Sequence, residues 1–211
     1  MKNTINFEGQ KIYPSKIVCV GRNYVSHIKE LNNEIPVEPV IFIKPNSSIA
    51  NDIWTHESDD IHYEGEISFI VKCGELIGVG FGIDLTKRKI QSKLKKKGLP
   101  WERAKAFDRS AVFSDFVSIT KGIAHLRMEL YINGQLKQDA GCNFMLNKPV
   151  LLANEISTFL SLEDGDIIMT GTPSGVGVIK DGDKFIGKIF SNSKLLVEGS
   201  WIVKRKIQFK R

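Results

Sequence analysis

The 211 residues carry 30 Lys and Arg against 24 Asp and Glu, a formal charge of +6, with 42% hydrophobic and 26% charged residues. A chain of this size can bury about 70% of its unfolded surface without staples, and its composition excludes a disordered chain, a collagen-like repeat and a coiled coil. No apolar run approaches the ~20 residues of a membrane helix, and the opening MKNTINFEGQK lacks the apolar stretch and cleavage site of a secretory signal.

In chain order, KIVCV (16–20) reads as a buried strand stopped by Gly21, followed by a helix from Tyr24 to Leu31 with Asn23 as its N-cap. Pro36 and Pro39 end that helix, and VIFIK forms a second short strand closed by Pro45. HYEGEISFIV (62–71) and the glycine-rich ELIGVGFGIDL (75–85) are strands, and Thr86 to Lys97 is helical until Gly98-Leu99-Pro100. MELYING turns at Asn133-Gly134 into QLKQD, a hairpin. VLLANEISTFL supplies the other good helix, and DIIMT, DKFIGKIF and SWIVKRKIQF supply the last strands. Many strands, few short helices and no βαβ alternation predict an α+β fold, a mixed β-roll, over a single domain of residues 1–211.

Charge and cysteines narrow the function classes. The basic excess lies in Lys87, Arg88, Lys89, Lys93, Lys95, Lys96 and Lys97, and in Lys204, Arg205, Lys206, Lys210 and Arg211, with no interleaved aromatics to stack bases. A solvated helix and a fraying end account for them without a nucleic acid. Cys19, Cys73 and Cys142 contain no CxxC pair, which argues against a disulfide framework or zinc finger and fits a reducing cytoplasm.

Three constellations carry chemistry. In the strand His62-Tyr63-Glu64-Gly65-Glu66 the two glutamates share one face, while Ile67, Phe69 and Val71 make the opposite face apolar. This is either a wet strand face or, with Asp84 at the end of the apolar GVGFGID, an oxygen-only site suited to Mg²⁺ or Mn²⁺. His27 and Glu30, three apart on the first helix, are either surface decoration or a carboxylate-oriented general base. Gly171-Thr-Pro-Ser-Gly175-Val-Gly177 follows a strand and is either a structural turn or an anion-cradling loop; it matches neither a Walker A loop nor GxGxxG. His56, His125 and the thiols offer little, and no GxSxG elbow occurs.

IVCVGRNYVSHIKE, EPVIFIKP, HYEGEI, GIDLTKRKIQ, KKKGLPWERAKAFD and LEDGDIIMTGTPSGVG stand in the order seen in the fumarylacetoacetate hydrolase family, and from Lys16 to Phe185 the chain resembles its acylpyruvate hydrolase and oxaloacetate decarboxylase or tautomerase branch. The resemblance implies a homodimer with one Mg²⁺ or Mn²⁺ per subunit, held by Glu64, Glu66 and Asp84. It further implies a water-activating dyad of His27 and Glu30 on a lid helix, an active-site lysine at Lys105, and substrate contacts from Arg88, Gln91 and Thr172, with Lys95–Lys97 left in solvent. The sequence departs from the family in a short stretch between Glu66 and Asp84 and in Gly141-Cys142-Asn143-Phe144 beside a substrate-facing loop.

The expected activity is metal-dependent cleavage of a C–C bond in an acylpyruvate, releasing pyruvate from a small 2-oxo acid. Oxaloacetate decarboxylation or tautomerisation and 2-hydroxyhepta-2,4-diene-1,7-dioate isomerisation are alternatives on the same scaffold. A catalytically inactive binding protein is the alternative from another class, set against a site whose five ligand and dyad positions are all filled.

Overall fold

The computed structural model describes residues 2–31, 34–56, 59–119 and 122–205. β1 (Ile5–Phe7) and β2 (Gln10–Ile12) form a small hairpin, and β3 (Lys16–Gly21) leads into α1 (Val25–Glu30). β4 (Val40–Pro45) and the short β5 (Ile49–Ala50) precede the two longest strands, β6 (Ile61–Lys72) and β7 (Glu75–Lys87). Next come α2 (Arg88–Lys96), α3 (Glu102–Lys105), β8 (Ala111–Phe113), β9 (Val117–Ser118), β10 (Leu126–Ile132) and β11 (Gln135–Gly141). α4 (Pro149–Ser157), β12 (Ile167–Met169), β13 (Gly177–Val178), β14 (Lys184–Ser191) and β15 (Lys194–Ile202) complete the order.

The expected mixed β-roll is present: a large curled sheet in the order β4-β3-β12-β6-β7-β8-β5, with β13 and β9 on its flanks, and a four-stranded antiparallel sheet β11-β10-β14-β15. β12 runs parallel to β3 and antiparallel to β6, which makes the large sheet mixed. Tyr63, Ile67 and Phe69 of β6 and Val79, Phe81, Ile83 and Leu85 of β7 pack against Met128, Leu130, Phe185, Ile189 and Trp201 of the smaller sheet. The opposite face of the large sheet holds Ile17, Cys19, Ile70, Ile167 and Met169 together with Ala111 and Phe116. α4 covers Val18, Val71 and Ile168 with Ala153 and Ile156.

One residue sets which face of β7 carries its acid. The ribbon of β6 and β7 turns at Cys73-Gly74, both with positive φ (50° and 78°), and begins with Lys72 opposite Glu75 and Val71 opposite Leu76. A bulge then leaves Ile77 unpaired, so Ile70 meets Gly78 and Glu64 meets Asp84. Without the bulge Asp84 would stand opposite Tyr63 and face the apolar core, because a one-residue slip sends every side chain to the other face.

Several element boundaries differ from the sequence reading. β7 continues to Lys87 through its pairing with Ile61, so α2 starts at Arg88 rather than Thr86. Tyr24, not Asn23, is the residue before α1, and no side chain caps it. The Asn23 amide is buried instead, donating to the carbonyls of Asn147 (3.0 Å) and Thr170 (2.8 Å) and accepting from the Asn147 N–H (2.7 Å). The final strand ends at Ile202, and the expected continuation over 206–209 lies outside the described residues, as do Lys206, Lys210 and Arg211. Among the described residues no helix is long and apolar enough to cross a membrane.

Candidate active site

Glu64 and Asp84 stand opposite one another on β6 and β7, Glu66 is two residues along the same face, and one carboxylate oxygen of each lies within 4.8 Å of the other two. Glu64, Glu66 and Asp84 are 6%, 1% and 0% exposed. The wet-face reading is therefore overturned: both faces of β6 are covered, one by the smaller sheet and one by the curl of the large sheet.

The chain neutralises this acidic group unevenly. From α3, the buried Lys105 Nζ donates to Glu64 Oε2 (2.9 Å), Asp84 Oδ2 (2.7 Å) and Thr86 Oγ1 (2.6 Å). Arg88 pairs with Glu64 Oε1, and Lys44 pairs with Asp84 Oδ1 at 2.9 Å. Among the described residues no cationic side chain reaches Glu66, whose Oε2 accepts only the Gly171 N–H (2.7 Å). Burial works against charge at Glu64, but Lys105 and Arg88 overcome it and hold the carboxyl well below the usual range. Burial, then the charges of Asp84 and Glu64, push the Glu66 carboxyl well above it. Burial opposes the Lys105 charge too, yet Asp84 and Glu64 raise that ammonium above its ordinary value. Three close carboxylates, one short of a cation, form a hard oxygen donor set that suits Mg²⁺ or Mn²⁺.

His27, 5% exposed on α1, places Nδ1 3.1 Å from Glu30 Oε2, and Glu30 Oε1 accepts the Gly175 N–H (2.9 Å). The loop after β12 thus touches both constellations, Gly171 bonding Glu66 and Gly175 bonding Glu30. Only glycine fits at 175: its φ is 101°, and a Cβ would stand 2.1 Å from the Lys137 carbonyl oxygen. Thr172 in the same loop accepts from Gln138 Nε2 (2.8 Å), and Gln138 Oε1 accepts the Gly65 N–H (2.9 Å), tying the loop to the glutamate strand.

A small cleft of about 40 Å³ brings His27, Glu64, Arg88, Gln91, Lys105 and Thr172 together, walled by Phe42 and Trp101. Gln91 is held by Arg88 (Nη1 to Oε1, 2.8 Å). Lys95 departs from the expectation that it stays in solvent: it is half-buried and lines the cleft, and burial, Arg22 and Arg88 lower its pKa. Lys93, Lys96 and Lys97 are exposed. Gly141-Cys142-Asn143-Phe144 does not line the cleft; Cys142 is buried in the core between the sheets and Phe144 is exposed. His125 is exposed, His56 lies 3.3 Å from Asp59, and all three cysteines are unbridged.

Sequence reasoning missed Lys44, Gln138 and Arg22. Lys44 left a signal, since it is a lone cation in the apolar VIFIKP, as Asp84 is a lone acid in GVGFGID. It is fully buried, donating to Ser110 Oγ (3.0 Å) and to the backbone carbonyl of Lys105. Gln138 left none, because QLKQD reads as an exposed hairpin arm.

The family profile described as Fumarylacetoacetate (FAA) hydrolase C-terminal matches residues 16–192. The chain belongs to the fumarylacetoacetate hydrolase family. It is 36% identical to the mitochondrial oxaloacetate tautomerase of Saccharomyces cerevisiae over 232 aligned positions, covering 87% of this chain and 90% of that protein. It is 37% identical to the oxaloacetate tautomerase of Escherichia coli over 199 positions, covering 85% and 91%. The crystal structure of fumarylpyruvate hydrolase from Pseudomonas aeruginosa in complex with Mn²⁺ and pyruvate superposes with a TM-score of 0.88 at 27% identity, covering 97% of each chain. The segment between Glu66 and Asp84 forms the bulged β6–β7 hairpin, and the acidic face is intact.

Proposed function

We propose that this fumarylacetoacetate hydrolase family member is a metal-dependent enzyme acting on small 2-oxo acids, with the enol–keto conversion of oxaloacetate as its reaction. The observation that carries the reading is a cleft lined by Lys105, His27 and Glu64, with His27 paired to Glu30 and Glu64 joined by Glu66 and Asp84 in an acidic triad short of a cation. The substrate follows from the relatives, which are named oxaloacetate tautomerases. Glu64, Glu66 and Asp84 would hold Mg²⁺ or Mn²⁺, which when bound supplies Lewis-acid polarisation of the oxygens of a 2-oxo acid. With Nδ1 of His27 turned to Glu30, its Nε2 is left to take the proton from the enol oxygen and deliver it to C3. Lys105 stabilises the negative charge on that oxygen between the two transfers. The Thr172 hydroxyl lines the cleft, accepts from Gln138 and donates over 3.4 Å to the Pro173 carbonyl, a long bond it would exchange for a substrate carboxylate.

Acylpyruvate cleavage is the second reading, favoured by the same dyad acting on water and by the likeness to a fumarylpyruvate hydrolase. The test follows enol absorbance of oxaloacetate, CO₂ release, and pyruvate release from acetylpyruvate, each with Mg²⁺ or Mn²⁺. Faster loss of the enol without CO₂ supports tautomerisation. Pyruvate from acetylpyruvate at the higher kcat/KM makes cleavage the reaction, and no acceleration of any of the three overturns the enzyme reading.

A further inference from the structure

Among the cations that line the cleft, Lys105 is committed to Glu64 and Asp84, and Arg88 to Glu64. Arg22 is different. Among the described residues no carboxylate pairs with it, although it lines the cleft beside Lys95. Its backbone is in the left-handed region, φ 57°, a conformation that costs free energy in any residue but glycine. That conformation is held from both sides. The Asn23 side chain next to it is fixed to the carbonyls of Asn147 and Thr170, and Gly171 packs so closely that a Cβ there would lie 2.9 Å from the Val20 carbonyl oxygen and from Asn23 Cβ. The turn out of β3 therefore directs Arg22 to the wall of the cleft. Burial, then the charges of Arg22 and Arg88, lower the pKa of Lys95, in keeping with the three cations lining one wall of the cleft.

We propose that Arg22, with Lys95 beside it, binds the second carboxylate of a dicarboxylic 2-oxo acid and so selects dicarboxylates over monocarboxylates. The inference rests on the 2-oxo acid reading above and adds the source of its specificity. An unpaired guanidinium on a partly dehydrated wall gains a charge-assisted, bidentate contact from a carboxylate, and a monocarboxylate such as pyruvate leaves it unmet.

The test measures binding of malate and lactate by calorimetry with Mn²⁺ present, in the unmodified protein, in Arg22→Asn, which tolerates the left-handed backbone, and in Arg22→Lys. Malate binds the unmodified protein at least ~10-fold tighter than lactate, Arg22→Asn abolishes that preference with lactate affinity unchanged, and Arg22→Lys restores part of it. No preference in the unmodified protein, or equal weakening of both ligands in Arg22→Asn, overturns the inference. Oxaloacetate turnover, measured in parallel, separates the two readings. A protein that prefers malate through Arg22 yet turns over no 2-oxo acid keeps the site and loses the enzyme.

Discussion

Two regions of the molecule bury carboxylates, and they treat them in opposite ways. Asp166, just before β12, is fully buried and accepts from the Ser15 N–H (3.0 Å) and O–H (2.7 Å), the Lys16 N–H (3.1 Å) and ammonium, and the Glu163 N–H (2.9 Å). Burial opposes its charge, but the Lys16 ammonium and these donors win and hold its carboxyl below the usual value. Glu66, equally buried, accepts one backbone N–H and faces two other carboxylates, and its carboxyl is pushed up. A buried acid whose oxygens the chain satisfies is a structural pin. One that the chain leaves short is built for a partner from outside.

That contrast can be broken most severely on the functional side. His27→Ala lowers turnover ~10²–10⁴-fold, the usual loss of a general base, with Mn²⁺ affinity unchanged because His27 makes no ligand contact in this account. Steady-state kinetics and a metal titration check both halves. On the structural side, Asp166→Ala costs about 3 kcal/mol of stability in urea denaturation, since it strands Lys16 and four further donors. Metal affinity and turnover of the folded protein stay as they were.

The pH dependence has a definite sign at Asp166. Its folded pKa lies below the unfolded one, so its contribution is fully present above the unfolded carboxylate pKa of ~3.9 and is lost as pH falls through the folded value. Asp166→Asn flattens that acid limb of the stability curve. Smaller still, Glu66→Gln raises the melting temperature of metal-free protein by roughly 2–4 °C, by removing a buried carboxyl whose ionisation burial, Asp84 and Glu64 oppose. The smallest effect is at the exposed Lys93, Lys96 and Lys97. Their joint replacement by Gln leaves turnover unchanged and stability within ~0.5 kcal/mol, and weakens only whatever salt-sensitive attraction to polyanions the excess positive charge produces.

Much of the site was legible because its residues stand where local rules make them anomalous. Asp84 ends an apolar strand, Glu64 and Glu66 alternate with Gly65, and His27 and Glu30 share a helical face. The strand-rich roll followed from hydrophobic runs and turn residues. What stayed hidden depended on tertiary facts. The unpaired Ile77 puts Asp84 on the face of Glu64, and no composition cue marks a bulge. Asn23 has the chemistry of an N-cap, but its amide is taken by Asn147 and Thr170, 124 and 147 residues away in sequence. Lys95 reads as one of a basic run until α2 and α3 bring it to the cleft beside Trp101.

The central claim is that the acidic face of the β6–β7 ribbon is a divalent-cation site and the Asp166 pocket is not. Mn²⁺ titration followed by electron paramagnetic resonance tests it directly in the unmodified protein, Asp84→Asn and Asp166→Asn. The account predicts one bound Mn²⁺ per chain, lost in Asp84→Asn and retained in Asp166→Asn. Binding that survives Asp84→Asn, or that is lost only with Asp166→Asn, would contradict it.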